Sequence, residues 1–189
     1  MPFIQEIREA VEAWCEGRFW PVRAVLLAWV VYIGGRHLND PDYSSLFGGL
    51  NLAVHEAGHL LFRWSGSEFL TVAGGTILQL AAPIVSALMF IRQPDYFAVC
   101  ICGGWLATNL YNVATYVADA RELVLPLVTV GDGECIEICH DWHYLLLNMN
   151  LLTLDTTIAK WIRIFAFLVL WGSIAGGAWM VWVMAKRRT

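Results

Sequence analysis

From Ile164 to Ala185 the chain carries no charged side chain. Coiled as an α-helix, such a run can cross the hydrocarbon core of a bilayer, which takes about 20 apolar residues. Largely apolar runs also fill 19–35, 44–64, 69–91 and 96–118, separated by short polar islands such as Asn39-Asp40-Pro41-Asp42 and Arg92-Gln93-Pro94-Asp95. A soluble chain with this pattern would have to bury several helices that are apolar on every face. Charged residues make up only 15% of the 189, where a soluble domain carries about a quarter. The expectation is an all-α polytopic membrane helix bundle of about five spans, forming a single domain over residues 1–189. The ten Trp and six Tyr suit aromatic belts at its two interfaces. A net charge of −4 gives no reason to expect a nucleic-acid partner.

Residues 1–17 differ from the spans. Phe3, Ile4, Ile7, Ala10, Val11 and Trp14 fall on one helical face, with Gln5, Glu6, Arg8, Glu9, Glu12 and Glu16 on the other. This spacing predicts an amphipathic helix lying at the membrane interface, whereas a cleaved leader is basic and then apolar throughout. Residues 122–160 form the one long extramembrane region, with a short helix expected to begin near Asp141. Five spans place the two termini on opposite sides. Lys186-Arg187-Arg188 argues for a cytoplasmic C-terminus, but Arg8, Arg18, Arg63, Arg121 and Lys160 nearly balance it on the far side. The chain reads as an integral membrane protein of the cell (plasma or inner) membrane, with lipid as its first partner and a homo- or hetero-oligomer open to it. Gly48-Gly49, Gly74-Gly75, Gly103-Gly104 and Gly176-Gly177 let helices approach closely in lipid.

The second span holds His55-Glu56-Ala57-Gly58-His59. HExxH on a helix sets two imidazoles one turn apart on one face, both able to reach a single ion. The Glu between them is the general base toward water that the metal activates. Ionisable groups inside an apolar run are costly and therefore functional by default. Zn²⁺ is the expected ion, although imidazole suits other divalent metals.

A catalytic zinc site takes three protein ligands. The motif lies in the second half of its span, so the exit of the fourth span and the 122–160 region share its side of the membrane. The candidates for the third ligand are Asp119, His140, Asp141 and His143. Asp141 reads as the N-cap of a helix over 142–152, which would hold His140 in place just before it. His140 and Asp119 stand equal as third ligand, the other orienting an imidazole from behind. Asn109 and Asn112 on the fourth span are placed to bind an extended substrate backbone, or to bond between helices. Of the five cysteines, Cys100 and Cys102 read as small apolar residues. Cys135 and Cys139, flanking His140, read as structural, with a disulfide or a separate metal site as alternatives.

HEAGH inside a transmembrane helix resembles the site-2 protease class of intramembrane zinc metallopeptidases. The resemblance implies that His55 and His59 bind zinc and that Glu56 activates water. It also implies a third ligand in a later span, an Asp following an Asn, to which Asp119 corresponds, seven residues after Asn112; Ala120 stands where the class has glycine. The run Tyr116-Val117-Ala118-Asp119-Ala120-Arg121, with His140-Asp141-Trp142 downstream, is similar to a group of small bacterial integral membrane proteins, a likeness that implies no activity. The expected function is an intramembrane zinc-dependent metallohydrolase, foremost a peptidase acting on a membrane-spanning peptide. The alternatives are a metal-dependent lipid or amide hydrolase, and a non-catalytic metal-binding or structural subunit of a membrane complex.

Overall fold

The computed structural model describes residues 2–40, 43–125 and 140–187, and every regular element among them is helical. In chain order the α-helices are α1 (Pro2–Cys15), α2 (Trp20–Asn39), α3 (Gly48–Phe62), α4 (Glu68–Arg92), α5 (Tyr96–Ala118), α6 (Asp141–Asn148) and α7 (Asp155–Lys186). Short 3₁₀ turns, Arg63–Ser65 and Leu152–Leu154, close α3 and lead into α7. Local chemistry marks the starts. Ser67 Oγ accepts the Leu70 N–H at 3.4 Å ahead of α4, and Asp95 Oδ1 accepts the Ala98 N–H at 3.0 Å ahead of α5. Gly66, at φ 69°, takes the left-handed backbone that lets the chain reverse after α3.

Among the described residues, three helices are long and apolar enough to cross a membrane: Glu68–Arg92, Tyr96–Ala118 and Leu152–Lys186. Of the most apolar part of α5, 56% is buried, against 28% for each of the other two, so α5 is the axis of the bundle. Val30 of α2, Ala107, Leu110 and Tyr111 of α5, and Ala166, Leu170 and Ile174 of α7 make the central core. The outer surface remains apolar: Val25, Leu60, Leu61, Leu88, Trp161 and Leu168 are all more than half exposed. Such a surface is at home against hydrocarbon and costly against water.

Contacts fix the direction of each helix. At one end, Trp14 of α1 donates to the Pro94 carbonyl between α4 and α5 at 2.6 Å, and Arg187 after α7 pairs with Glu12 at 2.9 Å. The N- and C-termini therefore sit together, which corrects the expectation that they face opposite sides. Helix α2 starts at this end and reaches the other, where His37 stacks on Tyr111 at 4.8 Å. Helices α2 and α5 run one way, α4 and α7 the other.

Helix α3 breaks the pattern. Its N-cap, Phe47, packs 5.1 Å from Trp29 and 6.2 Å from Trp105, residues near the midpoints of α2 and α5. Asn51 in its first turn accepts the Trp105 indole N–H at 2.7 Å. The chain thus leaves α2 at the far end, turns back to mid-depth, and runs outward again as α3. The physical reason lies in Ser44-Ser45-Leu46-Phe47. Ser45 Oγ accepts the Phe47 N–H at 3.2 Å and its carbonyl accepts the Gly48 N–H at 2.8 Å, so these residues form a turn where 44–64 read as one continuous span. A helix of 15 residues covers about 22 Å, short of a full crossing. The other expected spans, 19–35, 69–91 and 96–118, lie within α2, α4 and α5 to within a few residues. Helix α7 begins nine residues before the expected 164, so Lys160 and Arg163 are helical.

Candidate metal centre

The motif helix meets α4 where neither helix carries side chains. A Cβ on Gly58 would strike the Gly74 carbonyl, and one on Gly74 would lie 2.7 Å from Phe62 Cβ. Glycine at both positions lets the backbones touch. One residue along, a Cβ on Gly75 would fall 2.6 Å from His55 Nε2 and 2.7 Å from His59 Nε2. Both ring nitrogens therefore converge over the same bare patch of α4. The two rings are 4.8 Å apart and nearly perpendicular, at 79°.

The far side of each ring is anchored by α4. His55 Nδ1–H donates to Gln79 Oε1 at 2.9 Å, and His59 Nδ1–H donates to the Thr71 carbonyl at 2.9 Å. A carbonyl oxygen only accepts, so these bonds put the proton on Nδ1 and leave the lone pair on Nε2. That is how metal-binding histidines are oriented. Thr71 Oγ1 is itself tied back to the Ser67 carbonyl at 2.9 Å.

The third arm comes from α6. Asp141 Oδ2 lies 2.7 Å from His55 Nε2 and 3.3 Å from His59 Nε2. Bonds of about 2.0–2.1 Å to a tetrahedral ion place its ligand atoms about 3.3 Å apart; the His59–Asp141 separation matches this, while that of His55 and Asp141 is a hydrogen-bond distance. An Nε2 this close to a carboxylate needs positive charge, supplied by an ion between them or by a proton on the ring. His55, His59 and Asp141 form a buried His-His-Asp group that could hold a metal ion. Burial pushes the Asp141 carboxyl up, but the hydrogen bonds to His55 and His59 and their charge outweigh it, and the group settles below the ordinary carboxylate range.

Asp141 is free for this contact because His140 takes the cap. Sequence reading gives the N-cap of α6 to Asp141; the structure gives it to His140, whose Nδ1 accepts the His143 N–H at 3.1 Å. His140 Nε2–H then points to Asp119 Oδ2 at 3.3 Å. Burial pulls the His140 ring below the usual histidine range, against the opposing effect of Asp119. Asp119 also accepts the Val124 and Leu125 N–H groups at 3.0 and 3.1 Å, so it organises the chain leaving α5. The Asp141 N–H donates to Tyr116 Oη at 3.1 Å, and His143 Nδ1–H donates to the Ala120 carbonyl at 2.7 Å. Three contacts thus pin the start of α6 to the end of α5.

The expected site residues separate accordingly. His55 and His59 come together with Asp141. His140 and Asp119, the two favoured third ligands, pair with each other and stand outside the group. His143 holds the α5–α6 junction. Glu56 is half-buried on the motif helix, close enough to His59 and Tyr116 for its charge to act on both. Asn109 is fully buried, its amide donating to the Trp105 carbonyl at 3.1 Å, while Asn112 is half-buried. Arg121, an alternative partner for Asp119, pairs instead with Asp155 at 2.6 Å. Cys100 and Cys102 carry free thiols, whereas Cys135 and Cys139 lie outside the described residues.

Sequence reasoning missed Gln79, Thr71 and Tyr116 as supports of the site. Gln79 had a signal, an amide in the middle of an apolar run; Thr71 acts through its backbone and had none. No family model matches the chain, and neither a curated protein nor a solved structure does.

Proposed function

We propose that this chain is an integral membrane metallohydrolase, with His55, His59 and Asp141 holding a zinc ion and Glu56 as the general base. The observation that carries the reading is the orientation of the two imidazoles. Both rings are locked by α4 so that their Nε2 lone pairs meet a carboxylate at one point (2.7 and 3.3 Å). Three protein ligands leave an ion one open position, the catalytic rather than structural arrangement. An ion there supplies Lewis-acid polarisation of a substrate carbonyl and lowers the pKa of water. Glu56, beside the group and half-buried, accepts the proton. In membrane terms, α2, α4, α5 and α7 cross, α3 is a half-depth helix opening on the α6 side, and α1 lies at the interface with Ile4 and Ile7 exposed. The count becomes four crossings and one re-entrant helix in place of five spans. The membrane is the cell membrane, as the sequence reading has it.

A peptide is the substrate we favour, by resemblance of HEAGH to the site-2 protease class. The departure is the third ligand, which comes from a helix beyond the last residue of α5 and not from within a span. The test is Glu56→Gln in purified protein, assayed on helical membrane peptides and on membrane lipids. Metal content is expected to persist while hydrolysis falls at least about a thousandfold, comparable to losing other main catalytic groups. Turnover that survives Glu56→Gln would overturn the mechanism. Products from lipid alone would move the substrate to an ester or amide, and absence of turnover in the wild-type protein with metal bound would leave a metal-binding subunit.

A further inference from the structure

Residues of α2, α5 and α7 that are not part of the metal centre line an open groove of about 500 Å³. Its floor is the stacked pair His37 and Tyr111, exposed by only 5% and 4%. Neither His37 Nε2 nor Tyr111 Oη has a hydrogen-bond partner among the described residues. Buried polar atoms are rarely left so. Above them stand Lys160 and Arg163, one turn apart on α7 and both lining the cavity. Arg163 is held by Thr115, its Nη2–H donating to Oγ1 at 2.9 Å.

The surrounding charges leave this site cationic. The two nearest carboxylates are engaged, Asp155 with Arg121 at 2.6 Å and Asp40 with Arg36 at 3.8 Å. The remaining wall is apolar and open to the outside: Leu38 is 49% exposed and Phe167 42%. A free inorganic anion has no use for that wall. An amphiphile does, since its head meets the two cations Lys160 and Arg163 while its chain runs down Leu38 and Phe167.

We propose that this cavity binds the phosphate headgroup of an anionic phospholipid. Lys160 and Arg163 supply charge, with Arg163 offering a planar fork suited to phosphate. His37 and Tyr111 form the buried stacked base beneath these two cations. The site is independent of the metal reading, because it shares no residue with His55, His59 or Asp141.

The experiment is native mass spectrometry of detergent-purified protein offered equal amounts of phosphatidylglycerol and phosphatidylcholine, with inorganic phosphate as a separate arm. Wild-type protein is expected to retain one phosphatidylglycerol in preference. A Lys160→Gln/Arg163→Gln variant is expected to lose that preference by about tenfold, as removal of two cations near a lipid surface implies. Because Arg163 also supports Thr115, Lys160→Glu serves as the second variant: its exposed side chain can change without disturbing packing, and it is expected to lose preference at unchanged thermal stability. Equal retention of both lipids by wild type, or undiminished preference in Lys160→Glu, would overturn the proposal. So would inorganic phosphate binding as well as the lipid, which would make the apolar wall irrelevant.

Discussion

His55 and Gln79 face each other across the α3–α4 crossing, the imidazole Nδ1–H donating to the amide oxygen at 2.9 Å inside the bundle. That bond decides which nitrogen of His55 is available and where it points. A ligand held in this way needs no reorganisation when an ion arrives. The same helix supplies the Thr71 carbonyl to His59, so α4 is the template of the site although none of its own side chains belongs to the His-His-Asp group.

Replacing Gln79 with Leu is expected to weaken metal binding by about tenfold to a hundredfold, the usual effect of losing such a support. Competition with a calibrated chelator measures this. Affinity equal to wild type would mean that the His55 ring is held by packing alone.

Gly75→Ala offers a sharper probe. The added methyl carbon would sit 2.6 and 2.7 Å from the two Nε2 atoms, where an ion would need to be. Metal content is expected to drop to background while helicity, read by circular dichroism, stays at the wild-type level. Gly58→Ala, which strikes the backbone of α4 instead, is expected to lower the melting temperature as well.

Asp141 and Asp119 make a discriminating pair. Asp141→Ala removes an anionic ligand and is expected to abolish the rise in melting temperature that zinc gives the wild-type protein. Such a rise would follow from binding to the folded state, whose stabilisation is about 2.7 kcal/mol at a hundredfold excess over the dissociation constant. Asp119→Ala deprives His140 and the Val124 and Leu125 N–H groups of their acceptor. It is expected to lower the melting temperature in the absence of zinc, yet to keep a zinc-dependent rise. The reverse pattern would return the third-ligand role to Asp119.

The meeting of Glu12 and Arg187 is open to a topological test. Single cysteines placed at these two positions in a variant lacking the native thiols are expected to react with an impermeant maleimide from the same side of sealed vesicles. Labelling from opposite sides would contradict the helix order described above.

Much of this was legible in the chain. HEAGH and the apolar runs are local patterns, and helical periodicity translates them directly into faces and lengths. The motif side was legible too, since alternating crossings bring Asp141 back toward His55. What escaped was decided by single hydrogen bonds. The choice between His140 and Asp141 as cap turns on which side chain meets the His143 N–H, and moving it by one residue exchanges ligand and scaffold. The half-depth start of α3 turns on Ser45 and on an Asn51–Trp105 bond between residues far apart in the chain. The run 44–64 is apolar enough to look like a span, and composition does not record depth.

His55 and Asp141 are separated by 86 residues. Both imidazoles and their α4 supports belong to the first half of the polypeptide, while the carboxylate emerges only after α5 has been made. During synthesis the histidines must wait in the bilayer without their anion, and the centre matures only when α6 folds under the end of α5. A bound ion would then fasten α6 to α3, two elements with the whole of α4 and α5 between them in the chain.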